Sequence, residues 1–298
     1  MMRALSVLAG LALVLPLGAA AQDTLKKVRD SGSITIGHRD ASVPFSYYDD
    51  RQQPVGYAMQ LCGRIVDAVK SELKMPKLEV KYQLVTSANR IPLMANGTID
   101  LECGSTTNNL ERQKQVWFTI THFVTANRWV AKKAAKVNTL ADLKGKTIVS
   151  TAGTTNIKQI TELNGQQNLG MNIISANGHA EAFQMVETGR AVAFVMDDIL
   201  LYSLVAQSRN PGDYAISAEA LSVEPYGIML RKDDTAFKKV VDAAMADTYK
   251  SGAIDGIYER WFLKPVPPKS INLNVPMSEP FKKVIKNPTD SGDPAAYK

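Results

Sequence analysis

Apolar and polar residues recur with two distinct periods along the first hundred positions of the chain. Residues 78–84 alternate between apolar and polar, as a half-buried strand does, whereas Met59, Ile65, Val66 and Val69 follow the spacing of one helix face. The elements that these patterns predict are helix 24–31, strand 33–37, helix 56–73, strand 78–84, helix 89–95 and strand 98–101. This succession is typical of a sheet wrapped by helices.

A second α/β unit follows a long strand-like stretch at residues 116–132. The later predicted elements are a helical turn at 140–145, strands 147–149 and 171–175, helix 180–187, strand 191–196, helix 199–207, a crossing strand at 224–230, and helices 236–250 and 254–261. From Lys264 the chain is rich in proline, and we expect an extended tail docked on the surface.

The two halves share a local pattern in which a helix ends at a glycine and a strand follows. Residues 91–101 show it around Gly97, and residues 183–193 show it around Gly189. The repetition predicts two similarly built α/β lobes, the first resuming after the second. Ligands of open α/β sheets bind beyond the carboxyl ends of strands. The polar residues at predicted strand ends are Arg39, Ser105, Thr107, Thr151 and Asp197. A cleft between the lobes would bring them together.

The first 21 residues have the pattern of a signal peptide. Arg3 precedes an apolar run at 4–17 that is too short to span a bilayer, and small residues follow at 18–21. We expect export to the periplasm and cleavage before Gln22. Since that site has no cysteine, a lipid anchor is not expected.

Composition excludes some function classes for this chain of 298 residues. A hydrophobic content of 45% and a charged content of 21% are ordinary for a globular protein. The formal charge is +6, and loss of Arg3 would leave +5. Because the basic residues are scattered among acidic ones, the charge favours attraction of small anions over nucleic-acid binding.

The two cysteines of the chain are Cys62 and Cys103. In an oxidising compartment they favour a disulfide, which would add about 3–4 kcal/mol by the chain-entropy relation. A metal-binding or nucleophilic role is the alternative, but it lacks a supporting histidine cluster.

Motifs of catalysis and of cofactor binding are scarce. The sequence contains no G-x-S-x-G, H-E-x-x-H or C-x-x-C motif. Gly145-Lys146-Thr147 resembles the end of a P-loop, but it precedes a strand and lacks the upstream glycine. We therefore expect no enzyme activity, no cofactor and no metal.

The stretch 102–112, ECGSTTNNLER, carries the clearest binding chemistry. Its Ser and Thr residues offer hydroxyl groups and accessible backbone N–H groups, and Arg112 offers a fork that matches a carboxylate. Together they predict a site for a small anion or zwitterion. The alternative is a polar loop that ends at a helix N-cap, and the two interpretations are compatible.

Several segments together resemble one family. They are Gly37–Arg39 with Val43–Asp49, Thr86–Pro92, Glu102–Gln113, Ser150–Thr155, His179, and Gly189–Phe194 followed by Met196–Asp198. In this combination the chain closely resembles the periplasmic glutamate/aspartate-binding proteins of bacterial ABC transporters. The resemblance implies a two-lobed α/β fold of the type II periplasmic-binding-protein class, with hinge segments near 124–130 and 222–228.

The resemblance also implies which residues bind each part of an acidic amino acid. Ser105, Thr107 and Asp197 would hold the α-ammonium group. Arg112, with backbone N–H groups near Thr107 and Thr154, would hold the α-carboxylate. The residues around the side-chain carboxylate would be Arg39, Ser87, Arg90, Thr151 and His179. Three arginines and one aspartate complement two carboxylates and one ammonium group.

The function expected from this resemblance is capture of L-glutamate and L-aspartate in the cleft and delivery to an ABC permease. Lobe 1 would comprise residues 22–125 and 226–298 with the tail, and lobe 2 residues 126–225. We expect a monomer that binds no nucleic acid.

Alternatives remain for the whole chain and for single residues. An enzyme on the same fold would need a general acid, for which Glu102 and Glu224 are the candidates. A sensor module would share the ligand chemistry and differ in its partner. Ser87 and Asp198 could be helix caps, and Arg190 could be a surface charge.

Overall fold

The computed structural model describes residues 23–268 and 270–298, so the predicted signal peptide lies outside the described residues. The α-helices are α1 (Thr24–Ser31), α2 (Tyr57–Leu73), α3 (Arg90–Ala95), α4 (Thr155–Gln166), α5 (His179–Glu187), α6 (Asp198–Gln207), α7 (Thr235–Lys250), α8 (Ala253–Tyr258) and α9 (Glu279–Lys286). The last predicted helix, 254–261, is α-helical only to Tyr258 and continues as a π-helical turn over Glu259–Leu263. Within the described ranges no helix is both long and apolar enough to cross a bilayer.

The predicted strands occur in the expected order with some differences in length, and the chain also forms short strands that were not predicted. The strands are β1 (Ser33–His38), β2 (Ala41–Ser42), β3 (Ser46–Tyr48), β4 (Pro54–Val55), β5 (Glu79–Leu84), β6 (Leu101–Glu102), β7 (Val116–Phe118), β8 (Phe123–Lys132), β9 (Thr147–Thr151), β10 (Asn172–Ala176), β11 (Ala193–Asp197), β12 (Tyr214–Ile216), β13 (Ser222–Tyr226) and β14 (Met229–Arg231). The strand predicted at 98–101 is largely wrong, because Asn96 Oδ1 accepts from Thr98 N at 3.0 Å and folds this segment into a turn.

Two mixed sheets form the two lobes. The strand order of the first is β5-β1-β6-β14-β7, and that of the second is β10-β9-β11-β8-β12, with β13 also paired to β8. In each lobe three strands pair in parallel, β5-β1-β6 in the first and β10-β9-β11 in the second, so their carboxyl ends lie at one edge. This arrangement confirms the predicted fold class of two α/β lobes.

Two antiparallel strands connect the lobes. The β8–β13 ladder runs from Phe123 opposite Tyr226 to Asn127 opposite Ser222. Both strands fall where the hinge segments were predicted. The single crossing strand predicted at 224–230 is nevertheless wrong in one respect. Strand β13 ends at Tyr226, and a turn at Gly227 separates it from β14. A Cβ atom on Gly227 would lie 3.0 Å from the Phe118 Cβ atom, which explains why a glycine occupies this crowded turn.

The extended surface tail predicted from Lys264 is also wrong. Its second half forms α9 and a 3₁₀ turn at Pro294–Tyr297, and Phe281, Val284 and Tyr297 are buried. Ser278 caps α9 by accepting from Phe281 N at 3.4 Å. Since Phe281 and Val284 are three residues apart, they lie on one helix face and pack into the core.

A disulfide joins Cys62 of α2 to Cys103, directly after β6. The predicted pairing is therefore confirmed. The bond ties the longest helix of the first lobe to the residue that precedes Gly104 and Ser105, so the polar stretch begins from an anchored position.

Candidate functional site

All ten residues proposed as ligand contacts are buried, and most stand at the ends of strands or the starts of helices. Arg39 follows β1, Ser105 and Thr107 follow β6, Thr151 ends β9, Thr154 caps α4, His179 begins α5, Asp197 ends β11, Arg90 begins α3, Ser87 precedes α3, and Arg112 begins a 3₁₀ turn. The strand ends of the two sheets face each other, and this arrangement brings together residues that lie far apart in sequence.

Seven of the ten line one narrow cavity between the lobes: Ser87, Arg90, Ser105, Thr107, Thr154, His179 and Asp197. Four further lining residues, Thr155, Asn156, Met196 and Leu200, were not predicted. Their signal in the sequence is weak, because a hydroxyl, an amide and an apolar side chain at helix starts and an apolar side chain in a strand are ordinary features. The remaining three predicted residues, Arg39, Thr151 and Arg112, lie beside this cavity and bond to residues around it.

Two buried arginines make one side of the site strongly cationic. Arg39 Nη2 donates to Ser87 Oγ at 2.9 Å, and Arg90 Nη1 donates to Thr106 Oγ1 at 2.6 Å. Arg39 Nε and Nη1 and Arg90 Nε have no hydrogen-bond partner among the described residues. Burial lowers the pKa of Arg39 to about 10, and the neighbouring Arg90 adds to the effect. A buried cation with free N–H groups favours a carboxylate as its ligand.

The fully buried Glu102 balances part of this charge. Glu102 Oε2 accepts from Thr106 Oγ1 at 2.6 Å, and that same hydroxyl accepts from Arg90. Burial lowers the pKa of Arg90, and Glu102 is the leading influence that opposes this effect. The sequence suggested Glu102 only as a candidate general acid. In the structure it supports the arginine side of the site through Thr106.

Arg112 bridges the lobes beside the cavity. Its Nη1 donates to Thr107 O at 2.8 Å, and its Nη2 donates to Gly153 O at 3.3 Å. Burial lowers the pKa of Arg112 to about 9, and Arg90 lowers it further. Arg112 therefore adds a third desolvated positive charge, held by the backbone carbonyls of Thr107 and Gly153.

Asp197 supplies the opposite charge. Its Oδ1 accepts from Asn156 Nδ2 at 2.7 Å, and its Oδ2 accepts from the Tyr226 hydroxyl. Burial raises the pKa of Asp197 to about 7, and Glu224 raises it further. Glu224 accepts from Thr155 Oγ1 at 3.0 Å, so this second candidate general acid also serves as a hydrogen-bond acceptor in the site wall. A cation placed here would relieve the repulsion between the two carboxylates.

His179 and Thr151 form a neutral pair on the second lobe. Thr151 Oγ1 and His179 Nδ1 lie 2.9 Å apart. Burial holds the pKa of His179 well below its usual range, and Arg39 and Arg90 lower it further. The imidazole is therefore neutral at pH 7 and able to donate one hydrogen bond.

The helix-cap alternatives are wrong, because the N-cap of α6 is Asp197 and that of α3 is Asn89. Asp198 accepts from Thr125 Oγ1 at 2.5 Å and pairs with Arg128 Nε at 3.1 Å, so it ties α6 to β8. Arg190 is exposed. No cluster of His, Cys, Asp and Glu suited to a metal ion occurs in residues 23–268 or 270–298.

Two α/β lobes, paired connecting strands and a cleft of desolvated recognition groups define a bilobal small-molecule-binding protein. The match to a family model is specific: residues 34–264 fit the bacterial extracellular solute-binding proteins, family 3, and the chain belongs to that family. Its members are solute-binding transport proteins and not enzymes, which confirms the expectation of binding without catalysis.

Close relatives have described ligands. The chain is 54% identical over 268 residues to the L-glutamate/L-aspartate-binding protein of Pseudomonas aeruginosa, covering 90% of this chain and 89% of that protein. It is 46% identical over 287 residues to the glutamate/aspartate import solute-binding protein of Escherichia coli, covering 96% and 95%.

Solved structures share the fold. A mutant of the arginine-binding protein of T. maritima aligns with a TM-score of 0.71 and 27% identity, over 80% of this chain and 98% of that one. An ancestral arginine-binding protein bound to arginine aligns with a TM-score of 0.69 and 29% identity, over 78% and 98%. These neighbours are type II periplasmic binding proteins, in agreement with the predicted fold class.

Proposed function

We propose that this protein captures L-glutamate and L-aspartate between its lobes and delivers them to the permease of an ABC importer. The observation that carries the proposal is the presence of three buried arginines and one buried aspartate around the same cleft. Their charges complement two carboxylates and one ammonium group. The named functions of the Pseudomonas and Escherichia relatives support the same ligands.

The side-chain carboxylate of the ligand lies against Arg39, Ser87, Arg90, Thr151 and His179 in this proposal. Support comes from the unpartnered N–H groups of Arg39 and Arg90 within the described residues. A carboxylate would satisfy them and reverse the effect of burial on both guanidinium groups. Neutral His179 adds a hydrogen-bond donor without adding a fourth charge.

The α-ammonium and α-carboxylate groups of the ligand contact a second set of residues in this proposal. Asp197 binds the ammonium group with Ser105 and Thr107, and support comes from the Ser105 hydroxyl, which has no partner in the described part of the chain. Arg112 binds the α-carboxylate together with backbone N–H groups near Thr107 and Thr154.

Closure and export complete the proposal. Residues 22–125 with 226–298 and residues 126–225 move as two lobes about β8 and β13, and contacts made only in the closed form shift the population toward it. The family is extracellular, and the proposed route is cleavage before Gln22 without a lipid anchor. The mature protein acts as a monomer.

The deciding experiment is titration calorimetry of the mature protein with a panel of amino acids. Glutamate and aspartate should bind with micromolar or tighter affinity, and neutral and basic amino acids should bind about a thousandfold more weakly. Binding of arginine or glutamine in place of both acidic amino acids would refute the proposal.

Two alanine variants test the division of roles. Arg112→Ala should lower affinity for both acidic ligands about 100-fold or more, because it removes a charged partner of the α-carboxylate that all amino acids share. Arg90→Ala should weaken glutamate while leaving the weak binding of glutamine unchanged. The allocation is wrong if Arg112→Ala leaves the weak binding of glutamine unchanged, or if Arg90→Ala weakens glutamine as much as it weakens glutamate.

A further inference from the structure

The end of the chain contacts the loop that carries Arg112. We call residues 278–298 the C-terminal arm; they lie beyond residue 264, where the family match ends. The Asp290 carbonyl accepts from Asn108 Nδ2 at 2.8 Å and from Gln113 Nε2 at 3.0 Å. Gln113 Nε2 also donates to Asn108 Oδ1 at 2.9 Å. Asn108, Gln113 and Asp290 are thus joined pairwise by hydrogen bonds. Asn108 and Gln113 lie on either side of Arg112 in the sequence.

Gly292 of the arm fits against the backbone of the same loop. A Cβ atom at this position would lie 2.7 Å from the carbonyl carbon of Asn109 and 2.8 Å from Leu110 N. Real Cβ atoms do not approach a backbone so closely. A side chain at residue 292 would therefore push the loop between Thr107 and Arg112 away from the arm.

The arm also bonds to the chain that enters the first connecting strand. Thr121 N donates to Thr289 O at 2.9 Å, and Thr121 Oγ1 lies 2.8 Å from the Tyr297 hydroxyl. That hydroxyl donates to Ser291 O at 2.7 Å. Asn108 N meanwhile donates to Pro225 O of β13 at 2.7 Å. The loop, the arm and both connecting strands thus share one set of hydrogen bonds.

The arm itself is anchored in the core of the first lobe. Phe281 and Tyr297 are only 1% and 2% exposed. Phe281 packs against Phe123 of β8 and Tyr249 of α7, with ring centroids 6.3 Å apart in each case. Asp290 pairs with Lys238 of α7 at 2.8 Å. A support that is fixed in this way can hold a neighbouring loop in one position.

We infer that the C-terminal arm positions the loop 107–112 for ligand binding, with Gly292 and Tyr297 as positioning residues that do not line the cavity. This inference rests on the proposed function, because Thr107 and Arg112 are proposed to bind the α-amino-acid group. A loop held in its binding geometry loses less freedom when the ligand arrives, so affinity is higher.

The test uses the mature full-length protein and Gly292→Val, with Gly212→Val as the matched control. Gly212 is exposed and has no atom within 4 Å of an added Cβ. We expect Gly292→Val to lower the affinity for glutamate and for aspartate alike by about tenfold or more. The reason is that the loop binds the α-amino-acid group, which both ligands share. Gly212→Val should bind as the wild type does.

Tyr297→Phe provides a second variant that keeps the ring in the core and removes only the hydroxyl. We expect it to weaken both ligands by about three- to tenfold, which corresponds to the loss of one or two hydrogen bonds that hold the support. Amide hydrogen exchange in residues 107–113 should become faster in both arm variants, while exchange in β9 to β11 stays unchanged.

The outcomes separate the inference from the proposed function. If wild-type protein fails to bind either acidic amino acid, the proposed function is wrong. If the wild type binds and both arm variants bind equally well, the arm has no positioning role. A loss of affinity that is matched by faster exchange throughout both lobes would also overturn the inference, because it indicates general destabilisation.

Discussion

Asp197 is the residue at which proton binding and ligand binding are most closely linked. Its pKa is raised from an ordinary 3.8 to about 7 by burial and by Glu224. The folded protein therefore binds a proton that the unfolded chain releases. The associated stability is complete below pH 3.8 and is lost as the pH rises through about 7.

Ligand binding at acidic pH should release this proton. An α-ammonium group beside Asp197 favours the ionised carboxylate, so binding at pH 6 should release up to about one proton and binding at pH 8.5 none. Calorimetry in buffers that differ in ionisation enthalpy measures the number directly. Asp197→Asn should abolish binding and flatten the decline of unfolding free energy between pH 4 and 7. Equal proton release at both pH values would contradict this account.

Glu102 is predicted to stabilise the protein by compensating Arg39 and Arg90. Glu102→Gln removes the negative charge near two buried guanidinium groups, and we expect the free energy of unfolding without ligand to fall by about 2–4 kcal/mol. Saturating glutamate should recover more stability in the variant than in the wild type, since the ligand supplies the missing charge. Chemical denaturation with and without glutamate measures both effects.

The control for this experiment is Glu79→Gln. Glu79 is exposed and pairs with Lys81 at 3.5 Å on the surface, so its removal should change stability by less than about 1 kcal/mol. A Glu102→Gln variant that behaves like this control would show that Glu102 does not compensate the arginines.

At the scale of elements, the loop between β9 and α4 brings the lobes together. Gly153 in this loop has a φ of +74°, and an added Cβ would lie 2.5 Å from Ala88 Cα and 2.7 Å from Ser87 O. Ser87 and Ala88 belong to the first lobe. The contact therefore requires a residue without a side chain for the lobes to approach this closely.

Gly153→Ala should hinder lobe closure. We expect glutamate affinity to fall about 10- to 100-fold, because closed-state contacts to Arg112 and Ser87 are lost. Small-angle scattering should show less compaction on addition of glutamate than in the wild type. The matched control is Gly170→Ala, which has a similar φ of +59° but no atom within 4 Å of its Cβ position. Equal losses of affinity in both variants would assign the effect to backbone strain.

Element boundaries show which local patterns were informative. Helices such as α1 and α2 were predicted within one residue, because a polar cap or glycine and a regular apolar face mark them. Strand β12 was missed, since three residues after a proline turn carry little periodicity. Helix α9 was missed because proline content suggested an extended chain, although proline is tolerated in the first helical turn.

At the scale of the whole molecule, the disulfide is the main covalent constraint. It closes a loop over a sequence separation of 41 residues between α2 and the residue after β6. Cys62→Ser with Cys103→Ser should lower the free energy of unfolding by about 4 kcal/mol by the chain-entropy relation. Chemical denaturation measures the loss, and reduction of the wild type should reproduce it. An unchanged midpoint after reduction would contradict this prediction.

The sequence by itself determined the two-lobed α/β class and the cysteine pair, and its resemblance to one family singled out ten polar residues, seven of which line the cavity. Periodicity and glycine caps predict the helices and strands because they depend on neighbours in the chain, whereas the choice of site residues came from the family resemblance. The tertiary structure alone decided the partner of each buried charge: Glu102 supports Arg90 through Thr106, and Tyr226 donates to Asp197. It also placed the C-terminal arm against the loop of Arg112. Such pairings join residues far apart in sequence, and they follow from which strand ends the two sheets bring together, which no local pattern records.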